Sequence, residues 1–190
     1  MTPIDQNLFQ RASQGDRDAF WRLAGAYRGL IYSVALGMLR DHERAEDALH
    51  DVLLLAFQNL PNLRDAAKLP GWLYSLTRNH IMDAMRREER LRRSALGAAR
   101  LAEVVPVAEL IKKEGDLKRL EQALNLLPEP FRVILGLKYM NDYSCREIGE
   151  ILGIDVATVK SRLFEARKLL RKKTESLETV EQKENRHEVL

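Results

Sequence analysis

Apolar residues in this chain recur every three to four positions and almost nowhere every two. The pattern predicts helices throughout and few strands. Asp16 suits a helix N-cap, and Phe20, Leu23, Tyr27, Leu30, Ile31, Val34 and Met38 follow as one long buried stripe. A second helix starts near His42. Ala45, Leu49, Val52, Leu53, Ala56 and Phe57 line its inner side, and Glu46, Asp47, His50, Asp51 and Gln58 its outer side. A loop over 60–70, bounded by Pro61 and Pro70, leads to a third helix beginning at Gly71. That helix carries Trp72, Leu73, Leu76, Ile81 and Met85, then the basic set Arg86, Arg87, Arg90, Arg92 and Arg93. The period weakens between Ser94 and Gly115, where Gly97 and Pro106 interrupt it, and this stretch reads as a linker. Beyond it one helix runs from Leu117 to Leu127 and stops at Pro128. Another opens at Pro130, which suits a first turn, and buries Phe131, Val133, Ile134, Leu137 and Tyr139.

The segment 142–173, DYSCREIGEILGIDVATVKSRLFEARKLLRKK, predicts a helix-turn-helix. Ser144 and Glu147 have the spacing of a capping box. Ile148, Ile151 and Leu152 form the inner face of the first helix. Gly153 stands where a chain can leave a helix in a left-handed conformation. Ile154 plugs the space between the helices, and Asp155 caps the second. There Val159, Leu163, Ala166 and Leu170 share one face, while Thr158, Lys160, Ser161, Arg162, Glu165, Arg167 and Lys168 occupy the others. Short polar groups and long cations on one helix match base edges and phosphates in a major groove. An ordinary helical hairpin with a solvated basic face is the competing reading.

Composition narrows the classes. The chain has 190 residues, 45% hydrophobic and 31% charged, which accommodates two small helical domains with real cores. The net charge of +3 is modest but unevenly spread. The single cysteine, Cys145, allows no internal disulfide and points to a reducing compartment. It sits at a helix start, where a thiol is acidified, or it is a small residue filling its place. No apolar run reaches the length of a membrane span, and the N-terminus has no signal-peptide core. His42, His50, His80 and His187 are scattered, and there is no phosphate-cradling glycine loop, nucleophile motif or metal-ligand cluster. The chain is therefore expected to be cytoplasmic, not an enzyme, and to need neither cofactor nor metal. The last stretch, 175–190, has few apolar anchors and reads as a flexible tail or a short regulatory helix.

Several stretches together resemble the extracytoplasmic-function (ECF) class of bacterial RNA polymerase sigma factors. Ala45 to Leu60, AEDALHDVLLLAFQNL, resembles that family's polymerase-binding helix, AEDxxQEVFxxxW. Pro70 to Arg90 resembles its WLxxIARNxxxDxxRR stretch, and LNLLPEPF through the TVKSRL core to LLRK resembles its C-terminal domain. The chain departs from the family pattern at His50-Asp51, at Leu53 and at Asp155.

The resemblance implies an all-α protein of two small helical domains joined by a flexible linker. The N-terminal domain would span 1–93, the linker 94–115, and the C-terminal domain with its helix-turn-helix 116–174, followed by the tail. It implies a factor that directs core RNA polymerase to specific promoters and helps open the DNA, in a stress or signal response. Its partners would be core polymerase, promoter DNA and an anti-sigma factor, with no membrane insertion. Glu46, Asp47, His50, Asp51 and Gln58 would contact polymerase; on charge alone they read equally as a solvated face. Asn62, Arg64, Asp65, Lys68, Arg78, Asn79, Arg86, Arg87 and Arg90 would serve the minus-ten element, where a flipped base needs a pocket. Trp72 is placed either in the core or as a stacking platform beside it. Arg146, Thr158, Lys160, Ser161, Arg162, Glu165, Arg167, Lys168 and Arg171 would serve the minus-thirty-five element. The alternative is a dimeric helix-turn-helix regulator that binds duplex DNA without polymerase.

Overall fold

The computed structural model describes residues 5–95 and 115–187, and within them the chain forms helices and no strand. The N-terminal set comprises α1 (Gln6–Ser13), α2 (Arg17–Gly25), α3 (Arg28–Leu39), α4 (His42–Asn59) and α5 (Leu69–Ala95). The C-terminal set comprises α6 (Gly115–Asn125), α7 (Glu129–Tyr139), α8 (Cys145–Leu152) and α9 (Val156–His187). The expected linker falls almost wholly outside the described residues.

Local chemistry accounts for most boundaries. Aspartates open three of the first four helices: Asp5 accepts from the backbone N–H groups of Asn7 and Leu8, Asp16 from Ala19 and Asp41 from Arg44. The stripe that predicted one helix from Asp16 to Met38 is broken. Ala26 and Tyr27 turn the chain, and α3 starts after Tyr27. Tyr27 is 4% exposed, and α2 and α3 both pack inward around it. Burial, helped by Tyr143 nearby, pushes its phenol up to about 12. The short α1 escaped the sequence reading because only Phe9 and Ala12 of its residues are buried.

Over 60–70 the chain is not irregular. It makes two 3-10 turns, Leu60–Asn62 and Ala66–Lys68, and α5 begins at Leu69 with Pro70 in its first turn. At the other end, α9 continues through His187 and so enters the stretch read as a flexible tail. No glycine or proline follows Gly153, and Arg171 pairs with Glu175 at 2.9 Å one turn on. Glu178 meets Arg119 of α6 at 3.2 Å.

The two sets share one apolar core. Leu30, Ile31 and Val34 of α3 belong to the same buried cluster as Ile134 and Leu137 of α7 and Ile148 and Val159 of the helix-turn-helix. α3 is buried on nearly every side, including Ser33 and Gly37, because α4 and α5 cover one side and α7 another.

Candidate nucleic-acid and partner interfaces

The helix-turn-helix is built as its sequence predicts. Ser144 Oγ accepts from the Glu147 N–H at 3.2 Å, and Glu147 Oε2 accepts from the Ser144 N–H at 2.8 Å. Gly153 closes α8 with φ 67°, a region that glycine enters without cost. Ile154 is half-buried against the core, and its N–H donates to the Gly149 carbonyl at 3.0 Å. Gly149 is where α8 and the turn come closest, since a Cβ there would stand 2.7 Å from the Ile154 carbonyl oxygen. Asp155 then caps α9 by accepting from the Thr158 N–H at 2.8 Å and the Thr158 hydroxyl at 2.5 Å. The hydroxyl and the amide of Thr158 hold the Asp155 carboxyl below its ordinary value.

α9 buries Val159, Leu163 and Ala166 against α7 and α8. Lys160, Ser161, Glu165, Arg167, Lys168 and Arg171 are exposed. Thr158 is half-buried and engaged in the cap. Arg162 is half-buried, on the flank facing α5, where it and Arg78 act electrostatically on Tyr74, whose phenol burial raises. Phe164 was not anticipated. It lies on the exposed pole between Ser161 and Lys168 and is 60% exposed, a large apolar group among the polar ones. Only its position opposite the buried stripe could have flagged it. Arg146 is exposed on α8 and pairs with Glu150 at 3.2 Å.

α4 presents Glu46, Asp47, His50, Asp51 and Gln58 to solvent. At 100° per residue they fall within about 140° of arc. Leu54 lies near the centre of that arc and is 57% exposed, so the face is not simply a solvated charge run. Asp51 also reaches His80 of α5 at 3.3 Å, which ties this face to the next helix.

Asn62 and Lys68 are exposed on the two 3-10 turns and Arg64 and Asp65 are exposed between them, with Asp65 capping the second by accepting from the Ala67 N–H at 3.0 Å. Arg78 and Asn79 are exposed on α5. Trp72 is half-buried and packs on the core beside Phe20, Tyr27 and Leu60, so its larger part is structural. Further along α5, Arg86, Arg87 and Arg90 line an open groove of ≈ 950 Å³ with Met38, Leu39, Met82 and Met85. Arg86 pairs with Asp83, and Arg93 with Glu89. Among the described residues, Arg87 and Arg90 hold no carboxylate.

A second cleft of ≈ 510 Å³ lies between α3, α6, α7 and α9. Leu36, Leu120, Leu124, Leu135, Tyr139 and Leu170 give it apolar walls, and Arg40, His42 and Arg167 also line it. Among the described residues no group of acidic, histidine or cysteine side chains is placed to hold a metal ion, and no helix is long and apolar enough to cross a membrane.

These features sit within two matched regions. Residues 23–91 match the family model for sigma-70 region 2, and residues 117–170 match that for sigma-70 region 4. The ECF RNA polymerase sigma factor SigW of Bacillus subtilis is 31% identical over 187 residues, covering 93% of this chain and all of that protein. ECF sigma factor SigM of Mycobacterium tuberculosis is 31% identical over 163 residues, covering 86% of this chain and 81% of SigM. Two solved structures share the fold. One is the sigma factor RpoE in complex with the anti-sigma factor NepR from Bartonella quintana (TM-score 0.61, 24% identity, 84% of this chain and 98% of that one). The other is CnrH in complex with the cytosolic domain of CnrY (TM-score 0.63, 20% identity, 92% and 99%). A dimeric regulator would carry a sensor domain where region 2 stands here, so the matches do not favour that alternative. The chain belongs to the extracytoplasmic-function class of RNA polymerase sigma factors, which are transcription initiation factors.

Proposed function

We propose that this sigma factor joins core RNA polymerase through the outer face of α4, with Leu54 at its centre and Glu46, Asp47, His50, Asp51 and Gln58 around it. An exposed leucine ringed by polar groups is the anatomy of an interface anchor. The two 3-10 turns and α5 serve the minus-ten element. Asn62, Arg64, Asp65, Lys68, Arg78 and Asn79 supply donors and acceptors, and Arg86, Arg87 and Arg90 meet backbone phosphate. The helix-turn-helix serves the minus-thirty-five element with the exposed pole of α9, and Arg146 and Arg171 on flanking phosphates.

The observation that carries this reading is the geometry of the hairpin. A complete capping box, a left-handed Gly153 and a side-chain-free Gly149 fix α8 against α9, and α9 turns Ser161, Phe164, Glu165 and Lys168 outward on one pole. The protein acts as an initiation factor rather than a catalyst, in the cytoplasm where polymerase works, and in response to a signal. An anti-sigma factor is its natural repressor. The apolar cleft between α3, α6, α7 and α9 fits one apolar helix face of such a partner. The test is run-off transcription with core polymerase. Leu54→Asp should abolish polymerase capture and transcripts together while leaving the helical spectrum intact. Full activity from Leu54→Asp removes the α4 assignment.

A further inference from the structure

α3 ends on an arginine where the backbone suits a glycine. Arg40 is its C-cap residue, with φ 60° and ψ 23°, and the Arg40 N–H donates to the Leu36 carbonyl at 2.9 Å. Glycine takes this left-handed conformation freely, while a residue with a Cβ is strained in it. Among the described non-glycine residues only Asp142 shares a positive φ. Strain of this kind persists where the side chain it places has a use.

The side chain it places is a cation at the wall of the ≈ 510 Å³ cleft between α3, α6, α7 and α9. Arg132, Arg167 and His42 line the same cleft. Glu121 is the one carboxylate lining it, and that group lies 3.7 Å from His42 Nε2. Among the described residues Arg40 and Arg167 hold no carboxylate. Arg167 Nε donates to the Leu163 carbonyl at 3.2 Å, and Arg132 donates to the carbonyls of Gly37 and Leu127. Burial lowers the Arg132 pKa and Arg40 lowers it further, with Glu129 opposing, so the two guanidinium groups feel each other. Three guanidinium groups against one carboxylate give the cleft a positive potential that an anion would relieve.

The rest of the wall is apolar. Leu36, Leu120, Leu124, Leu135 and Leu170 line it, and Tyr139 and Met140 complete it as exposed side chains. The volume lies within the range of about 300–1,000 Å³ that holds one small ligand, and such sites combine apolar walls with a few polar groups that fix one end. An inorganic anion would leave the leucines wet, and a neutral hydrocarbon would leave the cations unanswered. A molecule with an apolar tail and an anionic head satisfies both.

We propose that this cleft is a binding site for a single-chain amphipathic anion, a long-chain carboxylate, with its head group on Arg40 and its tail among the leucines of α3, α6, α7 and α9. Arg132 and Arg167 supply the surrounding positive field. The same walls are offered to a partner helix in the reading above, so ligand and partner exclude each other. The ligand's own binding does not depend on that reading.

Isothermal titration calorimetry of the full chain with dodecanoate, held below its micelle concentration, tests this. Dodecyltrimethylammonium, with the same tail and the opposite charge, is the control. The expected result is one site per chain that takes dodecanoate at least about tenfold more tightly than the cation, the ratio that one hydrogen-bonded ion pair supports. Arg40→Gly removes the head-group cation and relieves the backbone, so it should melt no lower than wild type and yet lose about tenfold in affinity. Leu120→Gln, at a position 40% exposed, should weaken binding with the helical spectrum intact. Equal affinity for the two head groups overturns the anion site, and so does unchanged binding by Arg40→Gly. Wild-type affinity in Leu120→Gln puts the tail elsewhere and overturns the cleft as the site. Several ligands per chain mean surface adsorption and overturn it too, as does the absence of both binding heat and any rise in melting temperature with ligand. Capture by phosphatidylglycerol vesicles, lost in Arg40→Gly, overturns the free acid in favour of a membrane lipid.

Discussion

The guanidinium of Arg132 on α7 donates from Nε to the carbonyl oxygen of Gly37 on α3 at 2.6 Å, across 95 residues of sequence. A second nitrogen, Nη1, donates to the Leu127 carbonyl just past the end of α6. One buried cation therefore satisfies a carbonyl in the last turn of α3 and another just beyond the end of α6, each near the negative end of a helix dipole. Burial pulls its pKa below the ordinary arginine value, Arg40 adds to that pull, and Glu129 opposes it.

Arg132→Met should cost about 1.5–3 kcal/mol of unfolding free energy, the range for hydrogen bonds to a charged group. Urea denaturation followed by circular dichroism measures it. An Arg132→Met chain as stable as wild type would show that water replaces both bonds at no net cost.

Gly149→Ala should destabilise the C-terminal domain by roughly 1–3 kcal/mol, the usual cost of overpacking. Its Cβ would stand 2.7 Å from the Ile154 carbonyl oxygen, a backbone atom that cannot rotate away. Thermal melts check this, with Gly25→Ala as the control, since nothing lies within 4 Å of a Cβ there. Equal melting temperatures for the two variants would mean that the turn yields.

The Asp155 cap makes stability depend on pH with a definite sign. The Thr158 hydroxyl and amide lower its carboxyl pKa from 3.8 in the folded chain, so folding favours the ionised form. The contribution is complete above the unfolded value and disappears as pH falls through the lower folded value. Asp155→Ala should therefore melt below wild type at pH 7, and the gap should narrow below about pH 4. A gap that is constant with pH would show that the carboxylate is not the cap.

Much of this was legible before the structure. The capping box at Ser144, the turn at Gly153 and the cap at Asp155 are short-range chemistry, and each lies where local spacing puts it. The family was legible in ordered motifs. What the sequence hid was of two kinds. Periodicity cannot see a helix break that preserves its phase, and Ala26 and Tyr27 turn the chain while Phe20, Leu23, Leu30 and Ile31 all remain buried. It also cannot say which buried faces meet. Ser33 and Gly37 carry no periodic signal of their own, and only the packed structure shows α7 against them. Leu54 and Phe164 stood outside the buried stripes in the sequence reading, but an apolar residue left on an outer face was not taken as a contact point.

Replacing Arg162 and replacing Arg171 should have different effects on DNA binding by the assembled holoenzyme. Arg162→Ala should change base preference in the minus-thirty-five element by about 1–3 kcal/mol at one position, the range for a bidentate contact to a base edge. Arg171→Ala should weaken all sequences alike and lower the salt slope by about one unit. Binding titrations against a library of element variants at two salt concentrations separate these effects. Uniform losses from both substitutions would remove the base-reading role of Arg162.

Core-dependent initiation is the central claim, and transcription from a pool of upstream regions of the native genome tests it most directly. Purified core polymerase is supplied with and without this protein, and the transcript starts are sequenced. The account predicts discrete new starts that appear only with both components and share two spaced upstream motifs. An absence of new starts, together with tight binding of duplex DNA by the protein alone, would contradict it.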